Sequence, residues 1–380
     1  MLQTSFAFAQ PVLPMDTSQL SKCNFVARVG IVGSGNSARA LAAYLSSQGH
    51  KVSMLVRDLT KLPGISQSLN VRASGKIEGR FNLQQVATEP AVLLSQVDVV
   101  FIATVTTAYA EVAQKLAPYL ESHHKVVLFS GKLGGALLFS RALTLAGGPN
   151  IPVLETDSLF ACRVQDDESI WIRGFKRWTL FSGTSRSVTE REGDSITRFF
   201  PDLQAASNII QRGLTDFGAL AHAPVVLANM NAIDRQESFL FYYKGLTSRT
   251  VAILERIEEE FNLVAAAYGA SLIPMKELLN RYYGCDTSSL HQAMQTVPNY
   301  RYSQSPPSLD HRFLVEDVTA TLIPLQQFAR LANVAIPVVD SVVTLAGVLT
   351  AIDFQGTGRS LKQFGLDGMS YEQVREAINA

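Results

Sequence analysis

The stretch RVGIVGSGNSARALAAYL, residues 28–45, decides the fold of the first half of the chain. Its opening residues are mostly apolar and predict a buried parallel strand, and its Ala- and Leu-rich end predicts a helix. Between them lies GSGNSA, the strand–turn–helix fingerprint of dinucleotide-binding folds with Ala at the third small position. A second apolar strand, residues 51–57, follows at the expected distance. The pattern predicts a nucleotide site at this end of the chain.

Each small residue of this turn has a physical task in holding a dinucleotide. Gly33 permits the tight turn, Gly35 lets backbone N–H groups approach a pyrophosphate, and Ala38 lets the helix pack closely on the strand. The positive end of the helix dipole then faces the phosphates. The predicted cofactor-binding residues are the turn and the ends of two strands: Gly33, Ser34, Gly35, Asn36, Ser37, Ala38, Arg57 and Thr104.

The end of the second strand favours NADP(H), with NAD(H) as the alternative. Folds that bind NAD usually carry an acidic residue there, which accepts a hydrogen bond from the ribose 2′-hydroxyl. This chain has Val56 at that position, and the guanidinium of Arg57 directly after it suits a 2′-phosphate. Asp58 is the counterargument, because a slip of one residue would turn it toward an NAD ribose. Arg57 could also be a solvated residue that pairs with Asp58.

Length and composition predict a well-packed protein of two or three domains. The chain has 380 residues, of which 47% are hydrophobic and 17% charged, with a formal net charge of zero. Its basic residues are scattered, so the sequence indicates neither a nucleic-acid partner nor a membrane surface. The residues 334–352 are apolar but contain Pro337 and Asp340, which favours a buried helix over a membrane span.

The cysteines indicate a reducing compartment. Cys23, Cys162 and Cys285 lie far apart without CxxC spacing, which argues against a disulfide framework or a zinc site. The mildly apolar residues 6–15 are not preceded by lysine or arginine, so a secretory signal is not expected. We therefore expect a cytoplasmic protein without a bound metal.

The order of strand and helix patterns predicts an α/β fold with two parts. Alternating strands and helices in the first part predict a Rossmann-type, doubly wound parallel sheet, and helical periodicity from about residue 216 predicts an all-α C-terminal domain. Two strand-like pieces around Gly174, residues 169–173 and 177–181, predict an antiparallel hairpin. The predicted divisions are an extension (1–24), an NAD(P)-binding domain (25–203) and a helical substrate-binding domain (204–380).

Two segments of the helical part carry residues that suit acid–base chemistry. His222 lies in the small, apolar run GALAHAPVVL, where a hydrogen-bonded core histidine is the simpler interpretation. Downstream, Arg312 and Glu316 are four residues apart and could form a surface ion pair on a helix. That pair leaves Asp317 unexplained, since a half-buried carboxylate needs a partner, and His222 could be that partner.

From residue 28 onward the chain resembles the octopine/nopaline (opine) dehydrogenases over nearly its whole length. The most specific match is HRFLVEDV running into LIPL, close to the family pattern R-[YF]-x-x-E-D followed by an apolar-Pro pair. The other matching segments are GSGNSA at 33, SGKLGGAL at 130, ETDSLFACR at 155, FYYKGLT at 241, and His222 followed closely by Pro224. The family often has His-Pro where this chain has one residue between the two. His311 stands where the family frequently has a small residue.

The resemblance implies a reductive condensation of an amino acid with a 2-keto acid. The two form an imine, which NAD(P)H reduces to a secondary amine dicarboxylate. In family terms His222 is the general acid/base, Asp317 is the carboxylate that orients it, and Arg312 holds substrate or completes the relay. The implied partners are these small molecules, and a homodimer is one expected assembly.

Two other functions fit parts of the sequence. A ketopantoate-reductase-like or 2-hydroxy-acid dehydrogenase would reduce C=O and share the first domain, but its catalytic lysine has only Lys244 as a counterpart, in a setting that does not match. A non-enzymatic NADP-binding sensor would keep the glycines and have no need of His222 with Asp317.

Overall fold

The computed structural model of the protein describes residues 25–380, so the predicted extension and Cys23 lie outside the described residues. In the described chain the strands are β1 (Arg28–Val32), β2 (Lys51–Leu55), β3 (Asn70–Gly75), β4 (Gly79–Asn82), β5 (Gln85–Ala87), β6 (Val99–Ile102), β7 (Lys125–Phe129), β8 (Val153–Thr156), β9 (Phe160–Val164), β10 (Ile170–Phe175), β11 (Thr179–Gly183) and β12 (Leu203–Ala205).

Helices alternate with the strands at first and then take over. The first group is α1 (Asn36–Ser47), α2 (Pro63–Ser68), α3 (Pro90–Leu94), α4 (Tyr109–Leu116), α5 (Gly135–Leu145) and α6 (Arg186–Thr197). The second group is α7 (Ile209–Leu214), α8 (Phe217–Ala228), α9 (Met230–Asp234), α10 (Ser248–Ala267), α11 (Met275–Tyr283), α12 (Leu290–Thr296), α13 (Arg312–Asp317), α14 (Ile323–Leu331), α15 (Pro337–Thr350), α16 (Phe354–Thr357), α17 (Leu361–Phe364) and α18 (Tyr371–Asn379).

The main sheet has eight strands in the order β12-β11-β8-β7-β6-β1-β2-β5. β1 pairs in parallel with β2 on one side and with β6 on the other, so the strand order reverses between β1 and β6. In such sheets ligands bind in the crevice beyond the carboxyl ends of the strands at that reversal. The predicted fold class is confirmed, with one addition: β11 runs antiparallel to β8, so the sheet is mixed at that edge.

A second sheet of four strands, in the order β4-β3-β10-β9, corrects the predicted hairpin around Gly174. β10 does form an antiparallel hairpin, but with β9 before it rather than with the residues after it. The later piece is β11 of the main sheet. Burial explains the choice, because every residue of β11 is buried, as an interior strand requires, whereas buried and part-exposed residues alternate along β10.

The helical part packs onto the sheet through one continuous apolar core. Val100 and Leu128 from the sheet belong to the same buried cluster as Leu220 and Phe328 from the helices. The last strand of the main sheet, Leu203–Ala205, lies across the predicted division after residue 203, so that division stays a prediction. None of the described helices is by itself long and apolar enough to cross a membrane. Among the described residues, only α15 and the residues 354–364 taken together have the length and apolar composition of a membrane span, and the two segments are bent by 103° relative to each other.

Arg359 of the helical part forms hydrogen bonds to loops of the sheet part where the two parts meet. It is 3% exposed, and its Nη1 donates to the carbonyl oxygens of Gly131 at 2.7 Å and Leu133 at 3.1 Å. Its Nη2 donates to the carbonyl oxygen of Thr106 at 3.3 Å. All three acceptors lie in loops that follow strands of the main sheet. A guanidinium from the helical part therefore donates to buried carbonyl groups of the sheet part, of which that of Thr106 also accepts from the backbone N–H of Tyr109.

We predict that Arg359→Met lowers the free energy of unfolding by about 3 kcal/mol, because it removes the guanidinium donor from the buried carbonyl oxygens of Gly131 and Leu133. Urea unfolding followed by circular dichroism measures this. Arg330→Met is the matched control, because Arg330 is exposed and donates only to the Gln355 side chain; its expected loss is below about 0.5 kcal/mol. Equal losses for the two variants would contradict the assignment.

Candidate functional site

A cavity of about 960 Å³ lies where the carboxyl ends of the central strands meet the helical part. Its walls include the glycine turn after β1, the loops after β6 and β7, strand β10, and residues of α8 and α13. This is the crevice that the strand order predicts for a dinucleotide. The cavity therefore joins the predicted nucleotide site of the sheet part to polar residues of the helical part.

The glycine turn has the shape that a pyrophosphate needs. Gly33 has φ +134°, and a Cβ there would lie 2.6 Å from the carbonyl oxygen of Ala103, so no larger residue fits. Gly35 is exposed, and a Cβ there would meet nothing within 4 Å. It is the N-cap of α1, and no side chain caps this helix, which leaves N–H groups of the first turn available to an anion.

A buried arginine holds this turn in place. Arg39, 6% exposed, donates from Nε to the carbonyl oxygen of Ser34 at 3.1 Å. The same guanidinium donates to the carbonyl oxygens of Lys61 at 3.2 Å and Glu168 at 3.0 Å. One side chain thus ties the glycine turn to the loop after β2 and to the β9–β10 hairpin. The sequence reasoning missed Arg39, since a charged residue in the middle of a helix gives no local signal of burial.

The structure brings seven of the eight predicted cofactor residues to the cavity. These are Gly33, Ser34, Gly35, Asn36, Ser37, Arg57 and Thr104. Ala38 lies beneath the turn instead, fully buried, and a Cβ on Gly33 would lie 3.5 Å from its side chain. That contact is the close helix–strand packing for which the small residue was singled out.

The two charged residues after β2 have separate environments. Asp58 accepts hydrogen bonds at Oδ1 from the backbone N–H of Thr60 at 2.9 Å and from its hydroxyl at 2.6 Å. These bonds lower the pKa of Asp58 and hold its carboxylate in the following turn. Arg57 is exposed and lines the cavity, and within residues 25–380 it has no ion pair. The alternative pairing of Arg57 with Asp58 is absent there.

His222 and Asp317, 95 residues apart in the chain, form a hydrogen-bonded pair. Nδ1 of His222 lies 2.7 Å from Oδ2 of Asp317, and Nε2 lies 2.8 Å from the hydroxyl of Tyr242. The imidazole also stacks on Phe313, with ring centroids 4.1 Å apart and planes 13° apart. Its side chain is 17% exposed at the cavity, whereas that of Asp317 is 2% exposed. The ring is therefore held on both nitrogens and on one face.

Lys132 holds the carboxylate of this pair from the other part of the molecule. It follows β7, has φ +59°, and places Nζ 2.5 Å from Oδ1 of Asp317 and 2.9 Å from Oδ2 of Asp216. Burial would raise the pKa of Asp317, but the charge of Lys132 and the contact with His222 lower it below its ordinary value. Likewise burial would lower the pKa of Lys132, but the two carboxylates raise it. Lys132 and the two aspartates are therefore all ionised at neutral pH.

Asp216 also sets the position of His222. Its Oδ1 accepts hydrogen bonds from the backbone N–H groups of Gly218 and Ala219, which caps the N-terminus of α8. His222 lies one and a half turns further along this helix, followed at two residues by Pro224 within the helix. The same carboxylate thus fixes the start of the helix that carries the imidazole and binds the lysine that holds Asp317.

The predicted surface ion pair of Arg312 with Glu316 is not formed. Glu316 instead accepts a hydrogen bond at Oε1 from the backbone N–H of Thr106 at 2.9 Å, so it points to the loop after β6. Arg312 is exposed at the cavity and lies over the neighbouring Phe313 ring at 5.9 Å. Glu316 is therefore drawn to the sheet part of the molecule, whereas Arg312 stays exposed at the cavity.

His311 and the residues after Asp317 shape the local backbone. His311 is the N-cap of α13, where its Nδ1 accepts from the N–H of Phe313 at 3.3 Å. Burial and the charge of Arg312 lower the pKa of His311. A π-helical turn, Val318–Leu322, follows Asp317, as is common beside functional sites. In the described part of the chain, no group of three or more His, Cys, Asp or Glu residues is placed to hold a metal ion.

The sequence reasoning missed three polar residues that contact the His222–Asp317 pair directly or through Lys132. Lys132 lies in SGKLGGAL, a segment noted only as a family match, and Tyr242 lies in FYYKGLT in the same way. Asp216 stands just before an apolar helix, which is the pattern of an N-cap. Helix capping was the one usable signal, because contacts across 84 to 185 residues leave no local periodicity.

Comparison with known proteins matches each part of the chain to a family. Residues 205–350 match the model of the NAD/NADP octopine/nopaline dehydrogenase α-helical domain. Residues 29–136 match the model of ketopantoate reductase PanE/ApbA. The second match covers only the dinucleotide-binding half, which the two kinds of enzyme were expected to share.

Related proteins align over nearly the full chain. An opine dehydrogenase of Arthrobacter sp. (strain 1C) is 27% identical over 350 residues, covering 92% of this chain and 98% of that protein. Protein ocs of Agrobacterium tumefaciens (strain Ach5) is 24% identical and covers 93% of this chain and 99% of that protein.

Solved structures share the fold. Octopine dehydrogenase with NADH and L-arginine has a TM-score of 0.74 at 20% identity, over 93% of this chain and 98% of that one. Yersinopine dehydrogenase with NADP⁺ bound has a TM-score of 0.69 at 16% identity, over 93% and 98%. The resemblance expected from the sequence is thereby confirmed: residues 205–350 match the octopine/nopaline dehydrogenase α-helical domain, and an opine dehydrogenase aligns over 92% of this chain.

Proposed function

We propose that the protein is an NADP(H)-dependent opine dehydrogenase that condenses an amino acid with a 2-keto acid and reduces the resulting imine. The observation that carries this proposal is the His222–Asp317 pair, held at the cavity opposite the glycine turn. A non-enzymatic sensor would need no such pair. A cytoplasmic location and a homodimer stay predictions from the sequence.

The nucleotide half supports a nicotinamide cofactor. The open first turn of α1 and the Cβ-free approach at Gly35 suit a pyrophosphate. Arg57, free of any ion pair among the described residues, suits a 2′-phosphate, and the carboxylate of Asp58 is already engaged by Thr60. The solved relatives carry NADH or NADP⁺, so the preference for NADP(H) rests on Arg57 alone.

His222 moves the protons of the proposed reaction. Because Nδ1 faces an ionised carboxylate, it carries the ring proton in the neutral state and Nε2 is the working nitrogen. Nε2 takes the proton of the substrate ammonium group, directly or through the Tyr242 hydroxyl, which frees the amine lone pair to attack the keto carbon. The same proton then leaves with the hydroxyl as water when the C=N bond forms. Asp317 stabilises the imidazolium between these steps.

The remaining residues position the reactants and fix the charge balance. The cofactor, when bound, supplies the hydride that adds to the imine carbon. Arg312 lines the cavity one residue before Phe313, the ring on which His222 stacks, and suits a carboxylate of the substrate. Lys132 keeps Asp317 ionised, so the imidazolium formed in the first step has a counter-charge.

The alternative of C=O reduction receives less support from the cavity. Lys244, the sole counterpart of a ketopantoate-reductase lysine in the sequence reasoning, is exposed and does not line the cavity. Lys132 does line it, but its ammonium is already bound by Asp216 and Asp317.

We predict amine-dependent oxidation of NADPH when the protein is given pyruvate and a panel of amino acids. The amine is required because the reducible group is C=N, which the keto acid alone does not contain. Absorbance at the NADPH band and mass spectrometry of the product measure this. Full turnover with the keto acid alone would instead show a C=O reductase.

We predict that His222→Ala lowers kcat by about 10²- to 10⁴-fold, the usual contribution of a general acid/base, without weakening NADPH binding. Steady-state kinetics and fluorescence titration of NADPH separate the two effects. His291→Ala is the control, because His291 is exposed and lies outside the cavity. The mechanism is wrong if His222→Ala retains the rate of the control variant.

We predict that Arg57→Ala weakens NADPH binding by about 10- to 100-fold and leaves NADH binding unchanged, because only NADPH carries the 2′-phosphate that the guanidinium would bind. Lys61→Ala removes an exposed positive charge from the same loop, outside the cavity, and should change neither affinity appreciably. Equal effects of Arg57→Ala on the two cofactors would remove the case for NADP(H).

A further inference from the structure

The charged groups of the cavity leave three guanidiniums without a carboxylate partner among the described residues: Arg57, Arg173 and Arg312. The other basic side chains on the wall are paired. Lys132 binds two aspartates, Lys176 binds Asp157, and Lys115 lies 2.6 Å from Glu111. Arg57 and Arg312 have roles in the proposed function, whereas Arg173 has none.

Arg173 points into the cavity from strand β10 of the second sheet. Its residue is half-buried, and its Nε is a buried donor with no hydrogen-bond partner among the residues described. The next residue, Gly174, packs so closely on Asn299 of the helical part that a Cβ would overlap that side chain. Strand β10 therefore lies in close contact with the helical part next to Arg173.

Among residues 25–380, no carboxylate pairs with Arg173 to balance its charge. The groups that act on its charge are Cys162, the hydroxyls of Tyr283 and Tyr242, and the like charge of Arg163. Burial raises the pKa of the Cys162 thiol to about 12, despite the nearby Arg173 and Arg312, so the thiol is neutral at pH 7. A half-buried guanidinium with an unused donor, whose neighbours are neutral or positively charged, is a site for an external anion.

The proposed reaction supplies such an anion. Its two substrates each carry a carboxylate, and its product is a secondary amine with two. Arg312 provides a partner for one. Arg312, Arg173 and Cys162 all line the same cavity, and Cys162 lies opposite Ile172, the residue before Arg173, on the neighbouring strand. We propose that Arg173 binds the second substrate carboxylate, so that Arg173 and Arg312 together bind the two carboxylates of the secondary amine dicarboxylate.

This inference rests on the proposed function and has a consequence for the substrate. Both the amine donor and the keto acid must present a carboxylate to a guanidinium, so an amine without a carboxylate is a poor donor. A planar guanidinium binds a carboxylate through two parallel hydrogen bonds, which a lysine cannot reproduce.

A binding experiment tests Arg173 without requiring turnover. Iminodiacetate, the simplest secondary amine with two carboxylates, is titrated calorimetrically into the protein in the presence of NADP⁺. We expect Arg173→Met to weaken the binding of iminodiacetate by about 10- to 100-fold. The affinity of Arg173→Lys should lie between those of the wild-type protein and Arg173→Met. N-methylglycine has only one of the two carboxylates of iminodiacetate and lacks the one that Arg173 would bind. Arg173→Met should therefore weaken the binding of N-methylglycine much less than that of iminodiacetate.

Arg163→Met is the matched control for charge and fold. Arg163 lies opposite Trp171 on the neighbouring strand, is exposed, acts electrostatically on Arg173, and does not line the cavity. Arg163→Met removes one positive charge near the cavity but leaves the proposed contact of Arg173 in place. The affinity for iminodiacetate should therefore fall by no more than about 2-fold. Unchanged NADPH affinity in every variant verifies that the glycine turn and the fold are intact.

Steady-state kinetics then assign the carboxylate to its source. In Arg173→Met, a raised KM for the amino acid with an unchanged KM for the keto acid assigns Arg173 to the amine donor, and the reverse assigns it to the keto acid. Either result supports the inference. Iminodiacetate that fails to bind the wild-type protein at millimolar concentration, or that binds Arg173→Met as it binds Arg163→Met, overturns it. Absence of amine-dependent turnover with the binding result intact would overturn the proposed function alone.

Discussion

The site depends on one buried ammonium group, that of Lys132, which lies between Asp216 and Asp317. The lysine comes from the loop after β7 of the sheet, and both carboxylates come from the helical part. Removing one member of such a group leaves an uncompensated charge in the interior, which is far costlier than the net stabilisation the intact group provides. Lys132 thus fixes Asp317, and Asp317 fixes the imidazole of His222. The orientation of this imidazole therefore follows from a contact between the two halves of the molecule.

The junction around Lys132 is reinforced by contacts of the same kind. Arg359 donates to carbonyl oxygens on either side of Lys132, and Glu316 accepts from the backbone of Thr106 in the loop after β6. Each bond pairs a charged side chain of the helical part with the backbone of a loop at the carboxyl end of the sheet. Such loops hold the functional residues of doubly wound folds. The π-helical turn after Asp317 lies at this junction, where its backbone also packs on the Lys132 loop.

The charge pattern of the cavity matches the anions that the proposed reaction brings together. Among the described residues, the carboxylates on the wall are paired with lysines or with backbone N–H groups, and the guanidiniums of Arg57, Arg173 and Arg312 have no carboxylate partner. A 2′-phosphate and the two carboxylates of the product would occupy these three. Arginine suits this task better than lysine because its fork binds two oxygens at once and its charge persists when buried. The aromatic residues Tyr242 and Phe313 hold the imidazole among these charges.

The sequence by itself determined the features that depend on neighbouring residues. The glycine turn, the alternation of strands and helices, and the helical second part are encoded in short periodic patterns, and His222, Arg312 and Asp317 could be singled out through ordered family motifs. Only the tertiary structure decided that Asp317 binds Lys132 and that Glu316 accepts a hydrogen bond from Thr106 instead of pairing with Arg312. It also decided that residues 177–181 join the main sheet. The physical reason is that these outcomes depend on which buried polar groups meet across the junction. The requirement that each buried charge find a partner acts over distance in space and leaves no periodicity along the chain.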